Sequence, residues 1–222
     1  MNIDRLPEIE KNLRAPALNL RKAALDELAE VPSEIAVPIL QKLANESNFT
    51  LRRLAVMGLG NHPIAASFQA LQTIIKTDED ANVIAEAANS IFEFGEPAIP
   101  VLQQLFENSD NWLVRQTVIS LLVEIDRPEI LLAVALEAIK DETQTVREAG
   151  ILALRQVLTS PLQDEAFNIL KVMSEDAYWR NRWQAAIALR SIQHPQAQEL
   201  LSKLQRDEHF RVVAAALDGT WD

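Results

Sequence analysis

Ala36–Ser47 reads AVPILQKLANES, and Ala98–Ser109 reads AIPVLQQLFENS. The two stretches share Ala, Pro, Leu, Gln, Leu and Ser in register at an offset of 62 residues. Twice 31 is 62, so a unit of about 31 residues should leave other marks at half that spacing. It does. The pattern Arg-x-x-Ala-x-x-(small)-Leu begins at Arg21, Arg52, Arg115, Arg147, Arg182 and Arg211, and Ile84 takes the arginine slot in the third copy. Pro32, Pro63, Pro97, Pro128, Pro161 and Pro195 form a second series with the same period, each ahead of an apolar-periodic stretch where proline fits a first helical turn. Asn48, Asp80, Asn111, Thr143 and Asp207, four residues before the arginine, are expected to cap the helix that carries it.

Each unit therefore reads as helix A, a capped turn and helix B. Small residues on helix B let backbones approach, and the following Leu or Ile fills the space between hairpins. A single hairpin cannot bury its apolar stripe alone, so the units must stack. The expected fold is all-α: a right-handed α-solenoid of about seven helical hairpins, an α-α superhelix occupying 1–222 as one domain. Ile3–Leu13 is expected to be a capping helix. The end, AAALDGTWD, reads as a frayed terminus in preference to a self-association edge through Trp221.

Composition agrees. Of 222 residues, 48% are hydrophobic and only five are glycine, which suits helices better than turn-rich sheets. The formal charge of −11 speaks against binding phosphate backbones or anionic membranes. Cysteine is absent, which removes disulfides, thiolate metal sites and a cysteine nucleophile. The start MNIDRLPEIEKNLR has no apolar signal core, and no run is long enough for membrane insertion, so a cytoplasmic location is expected.

The repeats resemble HEAT repeats, and the Arg-x-x-Ala-x-x-Ala-Leu helix B at about 31 residues is most similar to the phycobilisome-lyase (PBS lyase) HEAT-like, armadillo-like class. The resemblance runs from about residue 20 to 217. It implies a scaffold whose helix B residues line the concave face. Counted from the arginine, positions +1, +5 and +8 are the candidates for that face. They are Arg53, Met57 and Gly60; Ala85, Asn89 and Phe92; Gln116, Ser120 and Val123; Glu148, Leu152 and Arg155; and Trp183, Ile187 and Arg190. The +1 slot should face solvent. Apolar residues among polar ones there suit a protein-binding groove.

YWRNRW at 178–183 is the one aromatic-basic cluster. The register makes Arg182 the repeat's own arginine and places Trp179 in the slot of Phe49 and Trp112, a staple over the start of helix B. Tyr178, Arg180 and Trp183 are not explained by the repeat. Arg180, Arg182 and Arg190 make 177–198 a local +3 patch, since the stretch contains no carboxylate.

No catalytic motif is present. His62 and His194 precede prolines at equivalent loops, and no His or acidic spacing suits zinc or calcium. Asp78-Glu79-Asp80 and Asp141-Glu142 lie in A–B turns, where capping and the helix dipole explain them. The residues call for no enzyme and no cofactor; the resemblance allows a bilin ligand. The leading expectation is a non-catalytic protein-binding scaffold, with bilin or iron–sulfur assembly on a partner as its context. Under the resemblance the partner is a phycobiliprotein, a lyase subunit or an iron–sulfur assembly protein. The alternative is a phycobilin lyase subunit, in which Tyr178, Trp183 and the nearby arginines would stack on the bilin and pair with its propionates. A HEAT-like DNA glycosylase comes third, because the acidic chain lacks a basic face and disfavours nucleic acid.

Overall fold

The computed structural model describes residues 5–217. They form fourteen α-helices and a short 3-10 turn, Glu96–Ala98. Helices pair as antiparallel A/B hairpins in the order the repeats require. They are α1 (Leu6–Leu13) with α2 (Leu18–Ala29), α3 (Ser33–Leu43) with α4 (Phe49–Gly60), and α5 (Ala65–Thr77) with α6 (Ala81–Phe92). Next come α7 (Ile99–Asn108) and α8 (Trp112–Leu122), and α9 (Pro128–Ala138) with α10 (Gln144–Val157). The last pairs are α11 (Gln163–Ser174) with α12 (Trp179–Leu189), and α13 (Pro195–Leu204) with α14 (Phe210–Leu217). The helix expected as a separate cap is therefore α1, helix A of the first hairpin, because it packs on α2 as its partner. Ile3 and Trp221 lie outside the described residues.

Two compact units are distinguished, one ending at Thr117 and one starting at Val118, inside α8. In the first, helix B packs on helix B (α2 on α4, α4 on α6) and α3 packs on α5. In the second, α10 packs on α12, α12 on α14 and α11 on α13. Leu40, Leu59, Leu71, Ile91, Leu102 and Phe106 are fully buried in the first; Leu154, Leu170 and Leu189 in the second. Buried Ala55, Ala87, Ala185 and Ala188 hold the small slots.

The prolines act at helix starts: Pro32 is the N-cap of α3, and Pro128 and Pro195 are the first residues of α9 and α13. The two matched stretches nevertheless diverge. Gly95, at φ +70°, turns the chain into the 3-10 turn, so Pro100 falls in the first turn of α7. Pro38 sits inside α3, where it offers no N–H to the Glu34 carbonyl.

Asn48, Asp80 and Asn111 cap α4, α6 and α8 by accepting the N–H of Thr50, Asn82 and Leu113 at 2.9, 2.8 and 3.0 Å. Thr143 is the N-cap of α10 without a side-chain hydrogen bond. Asp207 is not a cap of this kind. α14 starts two residues late, His209 Nδ1 accepts the Arg211 N–H, and Asp207 accepts the His209 N–H. Asp207 thereby joins a different series. Asp78, Ser109, Asp141 and Asp176 each accept the N–H of the residue two positions on.

The recurring arginine ties this series together. Arg52 donates from Nη1 to the carbonyls of Glu46 and Ser47 at 3.2 and 3.0 Å, closing its own turn. Its Nε and Nη2 meet both Asp78 oxygens, in the next turn, at 2.7 and 3.0 Å. Arg182 repeats the device. It donates to the Asp176 and Ala177 carbonyls at 2.9 and 3.1 Å and grips Asp207 with two bonds at 2.7 and 2.9 Å. Each such rung joins adjacent hairpins through a bidentate pair.

These pairs favour the charged carboxylates. Arg182 holds Asp207 below the ordinary 3.8, against burial. For Asp78 burial pulls upward, and the bond from Arg52 with the Asp80 and Glu79 N–H groups outweighs it. A carboxylate whose pKa falls on folding stabilises the fold above its unfolded value and loses that contribution as pH drops through the lower folded value. Melting temperature is expected to fall steeply below about pH 4. Calorimetry between neutral and strongly acid pH checks this: wild type should lose more than Asp207→Asn over the same interval.

Candidate functional site

In the second unit, α12 and α14 bring the YWRNRW cluster against the last hairpin. Arg182 is 8% exposed and belongs to the rung, as the register requires. Tyr178 is the N-cap of α12 without a side-chain cap bond and is exposed. Trp179 lies flat on His209, with ring centroids 3.8 Å apart and planes 6° from parallel. It therefore clamps the following hairpin and does more than staple its own helix. Arg211 lies over the same indole at 5.7 Å and Arg180 at 5.9 Å.

Two of the three charges in the local +3 patch are paired with carboxylates. Arg180 Nε is 2.9 Å from Glu148 Oε1, and Arg182 is paired with Asp207 and Glu208. The neutralising carboxylates come from adjacent hairpins and are invisible within 177–198. Glu148 is itself tied down: Gln144 Nε2 donates to it at 3.0 Å and to Asn181 Oδ1 at 2.9 Å.

Next to these ion pairs is an open cleft of about 290 Å³, lined by Trp183 and Ile187 of α12, by Arg190 at its C-cap, and by Arg211, Ala214 and Ala215 of α14. The +1, +5 and +8 positions of α12 thus share one wall. Trp183 and Ile187 are half-buried, Arg190 exposed. On α10, Leu152 and Arg155 are exposed. The cleft pairs an apolar floor with two guanidinium groups, an arrangement suited to a flat or apolar group carrying carboxylates.

Arg211, Ala214 and Ala215 were not among the residues expected from the sequence. A signal existed: Arg211 holds the repeat arginine slot on α14, in register with Arg182 on α12. Its guanidinium lies over Trp179 and Phe210.

In the first unit Met57 and Asn89 are exposed, and Phe92 and Gln116 half-buried. Arg53 is paired with Glu86 at 2.8 Å, α4 to α6. Ala85, at the +1 slot expected to face solvent, is 7% exposed, on a helix that packs against both α4 and α5. His62 is also buried, with Nδ1 3.2 Å from Ser33 Oγ, and burial lowers its pKa. His194 caps α13 by accepting the Gln196 N–H. Among the described residues no group of three or more His, Cys, Asp or Glu could hold a metal ion, and no helix is long and apolar enough to cross a membrane.

Comparison with known families matches HEAT repeats over residues 6–91, 40–122 and 68–155, and the PBS lyase HEAT-like repeat over 182–207. The last match starts at Arg182 and ends at Asp207, the two ends of one rung. No curated protein matches the chain. Among solved structures, YibA of Escherichia coli is 18% identical with a TM-score of 0.67, covering 97% of this chain and 80% of that one. The complex of CpcE and CpcF of phycocyanin lyase from Nostoc sp. PCC7120 is 20% identical with a TM-score of 0.50, covering 96% and 86%. Kap121p is 18% identical with a TM-score of 0.54, covering 99% of this chain and 29% of that one. At these identities the likeness is one of fold.

Proposed function

Because the chain belongs to the HEAT-repeat family, we propose that it is a non-catalytic scaffold that binds a partner protein through the helix B face around α12. The observation that carries this reading is the cleft between α12 and α14. It offers an indole, an isoleucine and two arginines in a chain of net charge −11. Trp and Arg are the residues that interfaces use most as anchors. The complementary surface is an acidic segment with an apolar or aromatic side chain. Assembly of a bilin or an iron–sulfur group on that partner is the functional context we favour, and the whole of 1–222 serves as one cytoplasmic domain in this reading.

The test is affinity capture beside Trp183→Ala/Arg190→Ala, with circular dichroism to verify that the variant folds. One partner held by wild type and lost by the variant, then reconstituted from purified components, supports the proposal. Equal retention by both moves binding to another face.

A second reading is a phycobilin lyase subunit acting with a partner chain. It is favoured by the PBS lyase HEAT-like match at 182–207, which covers most of α12 and the turn before α14. Here Trp183 would stack on the bilin, and Arg190 and Arg211 would take its propionates. Mixing the purified protein with a free bilin should then shift the visible absorption, and Trp183→Ala should abolish the shift.

A further inference from the structure

Arg52, Arg147 and Arg182 each drop a guanidinium onto the two turn carbonyls five and six residues earlier. The distances are 3.0 and 3.2 Å for Arg52, 3.0 and 2.6 Å for Arg147, and 3.1 and 2.9 Å for Arg182. The third hairpin cannot. Ile84 stands in the arginine slot, so the equivalent carbonyls, Asp78 and Glu79, receive no guanidinium. Among the described residues no side chain donates to either. The acidic slot in the next turn is altered as well. Where Asp78 and Asp207 face an arginine, the corresponding residue after Ile84 is Ser109. Both ends of this one rung are uncharged, and an open cleft of about 530 Å³ lies there. Ile75, Ile84 and Leu105 form its apolar side; Asp78, Asn108 and Ser109 are on its polar side.

We propose that this vacant rung is a socket for an arginine side chain of a partner protein, distinct from the α12–α14 cleft. The chain supplies the template: three copies of the same turn hold a guanidinium on the same pair of carbonyls. An incoming arginine would lay its methylene stem on Ile84 and Leu105 and donate to the carbonyl of Asp78, on the cleft wall, and to that of Glu79, the next residue in the turn. Charge favours it. Glu79 and Asp80 border the turn, and the Asp78 carboxylate is already occupied by Arg52. Lys76, also on the cleft wall, is exposed, so its ammonium is solvated there. An apolar residue on either side of the arginine would cover the rest of the aliphatic wall.

The test is an NMR titration of the full chain with acetyl-Leu-Arg-Leu-amide and with its citrulline counterpart, which keeps the shape and loses the charge. Amide signals of residues 76–84 and 104–109 should move with the arginine peptide. Affinity for the citrulline peptide should be about tenfold weaker, the difference between charged and neutral hydrogen bonds. Ile84→Arg/Ser109→Asp restores the internal rung and should abolish binding while raising the melting temperature. Ser109→Lys, which places a like charge in the socket without rebuilding it, should also abolish binding and covers the case where the double variant fails to fold. No shifts at millimolar peptide, equal affinity for both peptides, or undiminished binding to a folded variant would overturn the proposal.

Discussion

Arg182→Ala is expected to destabilise the protein by about 3 to 5 kcal/mol, the usual cost of removing one member of a buried pair. The side chain is 9% exposed and its partner Asp207 is 8% exposed, so water cannot take over. Deletion leaves the carboxylate buried and frees the carbonyls of Asp176 and Ala177 together. Arg182→Lys is expected to recover less than half of the loss. An ammonium can reach the carboxylate or the turn carbonyls, whereas the planar fork reaches both. Urea unfolding followed by circular dichroism measures the difference. A loss below about 1 kcal/mol, the value of an exposed pair, would show that the rung does not join the hairpins.

Gly150→Ala is expected to destabilise, although glycine inside a helix normally costs about 1 kcal/mol relative to alanine. A Cβ at Gly150 would lie 2.5 Å from the Ala138 Cβ and 3.3 Å from the Ala135 carbonyl. Those atoms are fixed to α9, so the helices must separate. Overpacking of this kind costs about 1 to 3 kcal/mol and outweighs the propensity gain. Gly58→Ala is the control. Its added methyl meets the far ends of Leu40 and Leu25, which can rotate away, so its stability should hold or rise. Thermal melts of the two variants should therefore move in opposite directions, or at least separate by several degrees.

The hairpin order was legible because three series ran at one period: proline at helix A starts, a capping residue in the turn and arginine on helix B. Of the +5 and +8 slots on helix B, Met57, Asn89, Leu152 and Arg190 are exposed, while Ile187 and Phe92 are half-buried. What escaped was pairing between hairpins. Arg180 and Arg182 read as a positive patch because Glu148 lies 32 residues before Arg180 and Asp207 lies 25 after Arg182. Asp207 read as a cap because the series of residues two positions before the caps, Asp78 to Asp207, was hidden beside the caps themselves. Its spacing is as regular as that of the arginines, so a search for acceptors in the turn would have exposed it. Ala85 was misplaced because the +1 slot is partly covered by neighbouring helices: Gln116, Glu148 and Trp183 are half-buried there too, which periodicity along one helix cannot reveal.

The rungs also fix where this chain can change length. Arg52 reaches Asp78 across 26 residues and Arg182 reaches Asp207 across 25, nearly the same count. The widest interval between repeat arginines, the 35 residues from Arg147 to Arg182, is taken up elsewhere. α10 runs to 14 residues, and Thr159–Leu162 follows before α11. The A-to-B turns are a metric edge, held to register by charge, while the B-to-A connections are a free margin. A foreign loop grafted at Thr159–Leu162 should therefore be carried by the protein as cargo. The same loop inserted between Asp207 and Phe210 would pull the carboxylate off its arginine and unzip the last hairpin.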